Sequence, residues 1–263
     1  MKKIIGSFLA LLILASFSVH ANASEQDDLF IQVDLDGGPN GECSIMKSKP
    51  DGTISEFVSN SQILSTTGLV SADCDETGLA VGLDGRVYFS EDSSDNILVA
   101  TPNGGRVSTF VTDTVVNMLF PMSVDWDYGM AVNPVTGTLV AADEDNEAIM
   151  EFPTNVPTPI LNPALINILA VEADFLALVT NVDLEGGIAI DSQGNIYITN
   201  DDSGNDVDNV IFKLTSAGDL SILCTQAQLT AVAGIGPEVD LDIGVAFSGN
   251  LFVGDDGDCN CIL

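Results

Sequence analysis

Short runs of alternating apolar residues recur along the chain, each closed by a turn rich in glycine, aspartate or asparagine. The clearest instance runs from Gly186 to Leu223. Ile188-Ala189-Ile190 is followed by the turn Asp191 to Asn195, then by Ile196-Tyr197-Ile198 and an acidic loop. Val210-Ile211-Phe212, a turn at Gly218 and Leu220-Ser221-Ile222-Leu223 complete it. Period-two alternation bounded by such turns predicts four short antiparallel strands. The pattern recurs at Gly78-Leu79-Ala80-Val81, at Gly129-Met130-Ala131-Val132 and at Gly244-Val245-Ala246-Phe247. Starts at 78, 129, 187 and 244 lie 51, 58 and 57 residues apart. Four-strand units at a near-constant period predict an all-β fold, a β-propeller of four-stranded repeats.

Read in order, the chain enters this repeat at its second strand. Residues 24–28 are a polar leader, and Leu29 to Val33, Ser44 to Lys47 and Ile54 to Val58 then read as strands. The first repeat has no evident inner strand. Ser59 to Ser65, Glu172 to Leu178 and Thr225 to Ala231 begin polar and turn apolar, as capped helices do. Pro153, Pro157, Pro159 and Pro163 loosen the third repeat, so its outer strand is expected at an edge. The last repeat stops at Cys261-Ile262-Leu263, within its third strand. The expectation is about five blades, incomplete at the C-terminus: either a small imperfect ring or a piece of a longer array.

Residues 1–23 belong to a different object. Lys2 and Lys3 precede an apolar run from Ile4 to Val19, and Ala21-Asn22-Ala23 is a small-x-small cleavage site. That is the pattern of a secretory signal peptide. It leaves 24–263 as the propeller domain and implies export to a periplasmic or extracellular space. No later apolar run approaches the ~18–20 residues of a membrane span, so no membrane insertion is expected. The formal charge is −32, from 39 acids against 7 bases, and loss of Lys2 and Lys3 makes it −34. Such a chain repels nucleic acid and anionic membranes, and suits divalent cations, cationic partners or a saline medium. The five cysteines are Cys43, Cys74, Cys224, Cys259 and Cys261. Export permits disulfides, but their connectivity does not follow from spacing.

The run Gly187-Ile188-Ala189-Ile190, Asp191-x-x-Gly194-Asn195 and Ile196-Tyr197-Ile198-Thr199-Asn200-Asp201 resembles NHL-type and SMP-30/gluconolactonase-type propeller repeats. The resemblance covers residues 29–263 and implies the fold. It leaves function open, because such repeats host binding proteins, lactonases and lyases alike.

The only histidine is His20, inside the leader. The mature chain therefore has no Ser-His-Asp triad and no imidazole ligand for a metal. Any catalysis falls to carboxylates, a metal-bound water, Tyr, Lys or Cys. An acid stands two residues before each inner-strand glycine: Glu76, Asp127, Glu185 and Asp242. A second stands four before it at Asp125, Asp183 and Asp240, with Cys74 in that place in the first case. Inner strands surround a propeller's channel, so these seven acids are candidate ligands for Ca²⁺ or another divalent cation at its mouth. The resemblance implies the same, since SMP-30-type enzymes hold a divalent metal with Glu, Asn and Asp just before their inner strands. The competing reading is that each acid caps backbone donors in its turn.

Loops after the second strands are also acidic: Asp34/Asp36, Glu91-Asp92/Asp95, Asp143-Glu144-Asp145, Asp201-Asp202/Asp206/Asp208 and Asp255-Asp256/Asp258. With four antiparallel strands these loops share a face with the inter-repeat connections, which places 27 of the 39 acids there. Runs of this kind are commonly a solvated rim. Trp126 and Tyr128 flank Asp127, either to stack on a sugar or a cationic ligand, or to wedge between repeats. The sequence is thus read as an exported acidic propeller that binds cations and a protein, glycan or small-molecule partner. The alternatives are an SMP-30-like metal-dependent hydrolase of lactones or esters and a structural repeat module of a larger extracellular protein; whether it is an enzyme stays open.

Overall fold

The computed structural model describes residues 28–34, 43–74, 77–126, 129–184, 186–200, 209–233, 241–245, 251–255 and 261–262, and only the backbone of 34, 232–233, 241–245, 252–255 and 261–262. The leader 1–23 lies outside them. Eighteen strands in these residues form five antiparallel sheets. Blade 1 comprises β1 (Leu29–Asp34), β2 (Cys43–Ser48) and β3 (Ile54–Val58). Blade 2 comprises β4 (Leu79–Val81), β5 (Val87–Glu91), β6 (Asn96–Ala100) and β7 (Val107–Val111). Blade 3 comprises β8 (Met130–Val132), β9 (Leu139–Asp143), β10 (Ala148–Phe152) and β11 (Asn167–Ala170). Blade 4 comprises β12 (Ile188–Ile190), β13 (Ile196–Asn200), β14 (Val210–Leu214) and β15 (Leu220–Thr225). Blade 5 comprises β16 (Leu241–Val245), β17 (Leu251–Asp255) and β18 (Cys261–Ile262).

The short inner strands β4, β8, β12 and β16 stand side by side in that order, as in the all-β propeller that the repeat period predicts. Blade 1 begins at the second-strand position, and β11 is the outer edge of the proline-loosened third blade. Helices follow outer strands at the three expected places, α1 (Asn60–Thr67), α3 (Glu172–Phe175) and α4 (Gln226–Ala233), and also after β7, where α2 (Asp113–Val116) was not expected. Ser59 caps α1: its Oγ accepts from the Gln62 N–H, and Gln62 Oε1 accepts from the Ser59 N–H. Gly68 closes that helix in the left-handed region at φ 78°, where glycine avoids the Cβ clash.

Apolar side chains of these sheets are buried mainly between blades. One cluster joins Phe30, Ile45 and Phe57 of blade 1 to Leu79 and Phe89 of blade 2. A second joins Tyr88 and Phe110 to Phe152 across blades 2 and 3, and a third joins Ile149 to Ile188 and Phe212 across blades 3 and 4. Each blade is thus stable only against its neighbours, which is the logic of a repeat array. A register irregularity recurs in the pairing of the third and fourth strands, after Ile45, Ile97, Ile149 and Ile211. All four isoleucines are buried. Such bulges increase the local twist of the outer strand.

Small residues occupy the axis because backbones meet there. A Cβ on Gly78 would lie 2.9 Å from Met130 Cβ, and one on Gly129 would lie 3.1 Å from Ile188 Cγ1. Ala80, Ala131 and Ala189 of the inner strands are buried. A disulfide joins Cys43 of β2 to Cys74 in the connection to blade 2, while Cys224 is a free thiol. Among the described residues, no helix is long and apolar enough to cross a membrane.

Gly78→Ala should therefore destabilise the fold by about 1–3 kcal/mol, the usual cost of overpacking. Denaturant unfolding of the variant checks this; unchanged stability would mean that the inner strands can separate without cost.

Candidate cation site between the second and third blades

Blades 2, 3 and 4 each receive the incoming chain through one repeated hydrogen-bond pattern. Glu91 ends β5 and is fully buried; its Oε1 accepts from the Asp73 N–H at 3.0 Å, and the Asp92 N–H donates to the Asp73 carbonyl at 3.2 Å. Asp143 ends β9, is fully buried, and accepts from the Asp125 N–H at 3.2 Å, while the Glu144 N–H donates to the Asp125 carbonyl at 3.1 Å. Asn200 ends β13 and accepts from the Asp183 N–H at 2.9 Å. Asp73, Asp125 and Asp183 are therefore equivalent, although sequence spacing puts Cys74 in the first of these places. Glu91 and Asp143 do not belong to a solvated rim. Their oxygens cap the linker backbone that enters their own blade, a role that the competing sequence reading gave to the linker acids themselves. Ser94 Oγ donates to the second oxygen of Glu91 and Asn146 Nδ2 to that of Asp143.

The loops beyond these caps fold alike. Asp92–Ser94 make a single 3₁₀ turn, and the Asp95 N–H closes it on the Asp92 carbonyl at 3.1 Å. Glu147 closes on the Glu144 carbonyl in the same way. Asp95 (φ 48°) and Glu147 (φ 47°) occupy the left-handed region, where non-glycine residues are uncommon. The Trp126 indole N–H donates to the Asp95 carbonyl at 2.9 Å and fastens this loop to the linker of the next blade. Trp126 itself is buried, edge-on to Phe152 with ring centroids 5.7 Å apart. It is a wedge between blades, not an exposed stacking surface.

This arrangement gathers the carboxylates of Asp92, Asp95 and Asp125, with one oxygen of each within 4.8 Å of the others. Ca²⁺ ligands stand about 2.3–2.6 Å from the ion, so oxygens on opposite sides of it are about 4.6–5.2 Å apart. The donor type and the spacing both fit a hard divalent cation. Burial pushes the Asp95 carboxyl up to about 7, and the charges of Asp125, Asp92, Asp113 and Glu91 add to the effect. Glu147 is pushed to about 8 by burial, against the Leu184 N–H that donates to it, and by Asp183, Glu144 and Glu172. Burial likewise raises Asp143 to about 7. On the opposite face Asp191 behaves in the contrary way. Burial opposes its ionisation, but donors from Asn195, Tyr197 and Gln193 outweigh burial and hold it below the usual range.

Of the seven acids expected to hold a cation, Asp125 lies in this cluster and Asp183 occupies the matching linker before blade 4. Glu76, Asp127, Glu185 and Asp240 lie outside the described residues. Asp242 falls within β16, opposite Gly254, rather than ahead of the strand; its side chain is outside the described part, as are Tyr128 and the acidic loops 201–208 and 256–258. The sequence reading placed Asp92 and Asp95 in an acidic loop without joining them to Asp125. The shared rhythm of 51 to 58 residues could have found the connection, since loop and linker acids recur together.

Carboxyls raised in the folded state bind protons that the unfolded chain, with values near 4, has already released. Their stabilising effect is full below about pH 4 and is lost as pH rises through about 7–8. In EDTA, Tm should accordingly fall between about pH 5 and pH 8.5, and Asp95→Asn should flatten that fall. A Tm that rises with pH across this interval would refute the assignment.

No family model matches the chain, and no curated protein matches it. Solved structures do. A chain of a nidogen/laminin complex aligns with a TM-score of 0.52 at 17% identity, over 81% of this chain and 64% of that one. A structural-genomics protein of unknown function from Bacteroides thetaiotaomicron aligns at 0.57 and 11% identity, over 91% and 56%. The chain thus spans less than two thirds of these two structures. A gluconolactonase from Xanthomonas campestris aligns at 0.54 and 13% identity, over 88% and 70%. At such identities these likenesses establish what the five sheets and their inner strands also establish: the chain is an all-β propeller.

Proposed function

We propose that this chain is an exported propeller that acts as a binding module and holds a divalent cation, Ca²⁺ foremost, on its acidic face. The observation that carries the proposal is the approach of Asp92, Asp95 and Asp125, from two different blades, with one oxygen of each within 4.8 Å of the others. A cation there would join the second-blade loop to the third-blade linker and would offset the burial and the added repulsion that raise Asp95. Asp183, Glu76, Asp127, Glu185, Asp240 and Asp242 are the candidate ligands at the other junctions and at the channel mouth. The Cys43–Cys74 disulfide supports export, because such bonds persist in oxidising compartments. The acidic surface favours cationic, glycan or small-molecule partners over nucleic acid.

The gluconolactonase of the same fold supports a second reading, a metal-dependent hydrolase of lactones or esters. In that reading the acidic side chains would hold the ion, which would supply Lewis-acid chemistry at a bound carbonyl, and a carboxylate would serve as base. Turnover of simple lactones with added Ca²⁺, Mg²⁺ or Mn²⁺ decides between the readings. Its absence, with cation binding intact, leaves the binding module.

The proposal is tested by thermal unfolding and calorimetric titration. Ca²⁺ at ~100 times its Kd should stabilise the protein by about 2.7 kcal/mol, well beyond Na⁺ at matched ionic strength, which acts by screening alone. Asp125→Asn should abolish the excess over Na⁺ while leaving the protein without added cation at least as stable as the parent. Equal responses to Ca²⁺ and Na⁺ would reduce the cluster to a screened acidic surface.

A further inference from the structure

The acidic face also carries apolar side chains that no blade covers. After α2 the chain passes through Met118 and Met122, 65% and 53% exposed, and after α3 through Leu176 and Leu178, 43% and 39% exposed. The two segments follow corresponding short helices of successive repeats, though their exposed residues do not match position for position, and the loop between β9 and β10 lies between them. Asn117 Oδ1 accepts from the Val124 N–H at 2.8 Å, which folds the methionine segment back on itself. Ser123, next to Met122, hydrogen-bonds Asp145 at 2.9 Å, and Asn146 Nδ2 donates to the Ser123 carbonyl at 2.9 Å. On the other side, Glu172 of α3 is near enough to raise Glu147 electrostatically. The surface therefore alternates methionines, an acidic loop and leucines.

No lysine or arginine occurs in residues 92–95, 113–125, 143–147 or 172–184, whereas Asp92, Asp95, Asp113, Asp125, Asp143, Glu144, Asp145, Glu147, Glu172, Asp174 and Asp183 do. Exposed apolar groups among single-sign charge mark an interaction surface, and methionine adapts its shape to different apolar partners. Charge complementarity selects the occupant. An anionic lipid surface or nucleic acid would be repelled, and a second copy of a chain with net charge −32 would meet its own charge.

We infer that this face docks a cationic amphipathic segment of a partner protein, its apolar stripe on Met118, Met122, Leu176 and Leu178 and its lysines or arginines over the Asp143–Glu147 loop. The inference specifies the partner of the binding-module reading, but it does not require the cation. Two synthetic helical peptides of about 18 residues serve as probes, one of Leu and Lys with its leucines on one face, the other of Ser and Lys with equal charge. Titrations use the mature protein in EDTA, so that failure to bind Ca²⁺ and failure to bind peptide are separate results.

The Leu/Lys peptide should bind about tenfold more tightly than the Ser/Lys peptide, and affinity should fall as NaCl is raised. The pairs Met118→Ser with Met122→Ser, and Leu176→Ser with Leu178→Ser, should each weaken the Leu/Lys peptide about tenfold at unchanged Tm. Val135→Ser, at an exposed site in a turn of the opposite face, should have no effect. Equal binding of the two peptides, or paired variants that bind like the parent, would overturn the inference. So would self-association abolished by the same variants, which would make a second copy the occupant.

Discussion

In blades 2, 3 and 4 a buried oxygen at the end of the second strand receives the backbone N–H of the linker residue that leads into that same blade. Glu91, Asp143 and Asn200 make this contact to Asp73, Asp125 and Asp183. Little else in the structure is independent of it. A blade of four short strands cannot bury its faces alone, and the clusters around Phe89, Phe152 and Phe212 form only when the neighbouring blade stands at a fixed distance and angle. The strand-end cap fixes where the incoming linker turns inward, and the Trp126 indole N–H to the Asp95 carbonyl and the Leu184 N–H to Glu147 tie that linker to the preceding blade. The adjacent contacts, Ser90 N–H to the Gly78 carbonyl and Ala142 N–H to the Gly129 carbonyl, then bring the inner strand to the axis.

The same geometry explains the charge. The loops beyond these strand ends meet the linker of the following blade, which brings Asp92 and Asp95 to Asp125 and Glu147 to Asp183. Loops with an acid in the left-handed region, Asp95 and Glu147, aim further carboxylates at the same place. Burying such groups beside one another opposes their ionisation, so the repeat that builds the fold also builds a demand for protons or cations. Asp191 on the opposite face shows that acids in this chain need not behave so. Backbone and side-chain donors surround it, and its charge is welcome there.

Period and alternation made the fold legible in the sequence: the strands around Ile188 and Ile196, the helix after Ser59 and the three described strands of blade 1 all follow from local pattern. The junction chemistry was less legible. Glu91 and Asp143 sit in runs of acids that look solvated, and nothing local distinguishes a buried cap from its exposed neighbour Asp92. Asp92 and Asp125 are 33 residues apart, and their approach depends on blade packing rather than on either segment. The linker before blade 2 places Asp73 one residue earlier than simple spacing suggests, so Cys74 is free to pair with Cys43. Trp126 illustrates the same limit: its neighbours are acidic in sequence, but its ring faces Phe152 in the core.

The central claim is that a cation occupies the Asp92, Asp95 and Asp125 cluster. Trp126 is the only tryptophan, and its indole N–H is bonded to Asp95 within the site. Tb³⁺, a hard cation with oxygen preferences like those of Ca²⁺, offers a direct readout by luminescence excited through that ring. The account predicts sensitised Tb³⁺ emission that saturates, is displaced by Ca²⁺ but not by Na⁺, and disappears in Asp125→Asn. Emission that is absent, or that persists unchanged in that variant, would contradict it.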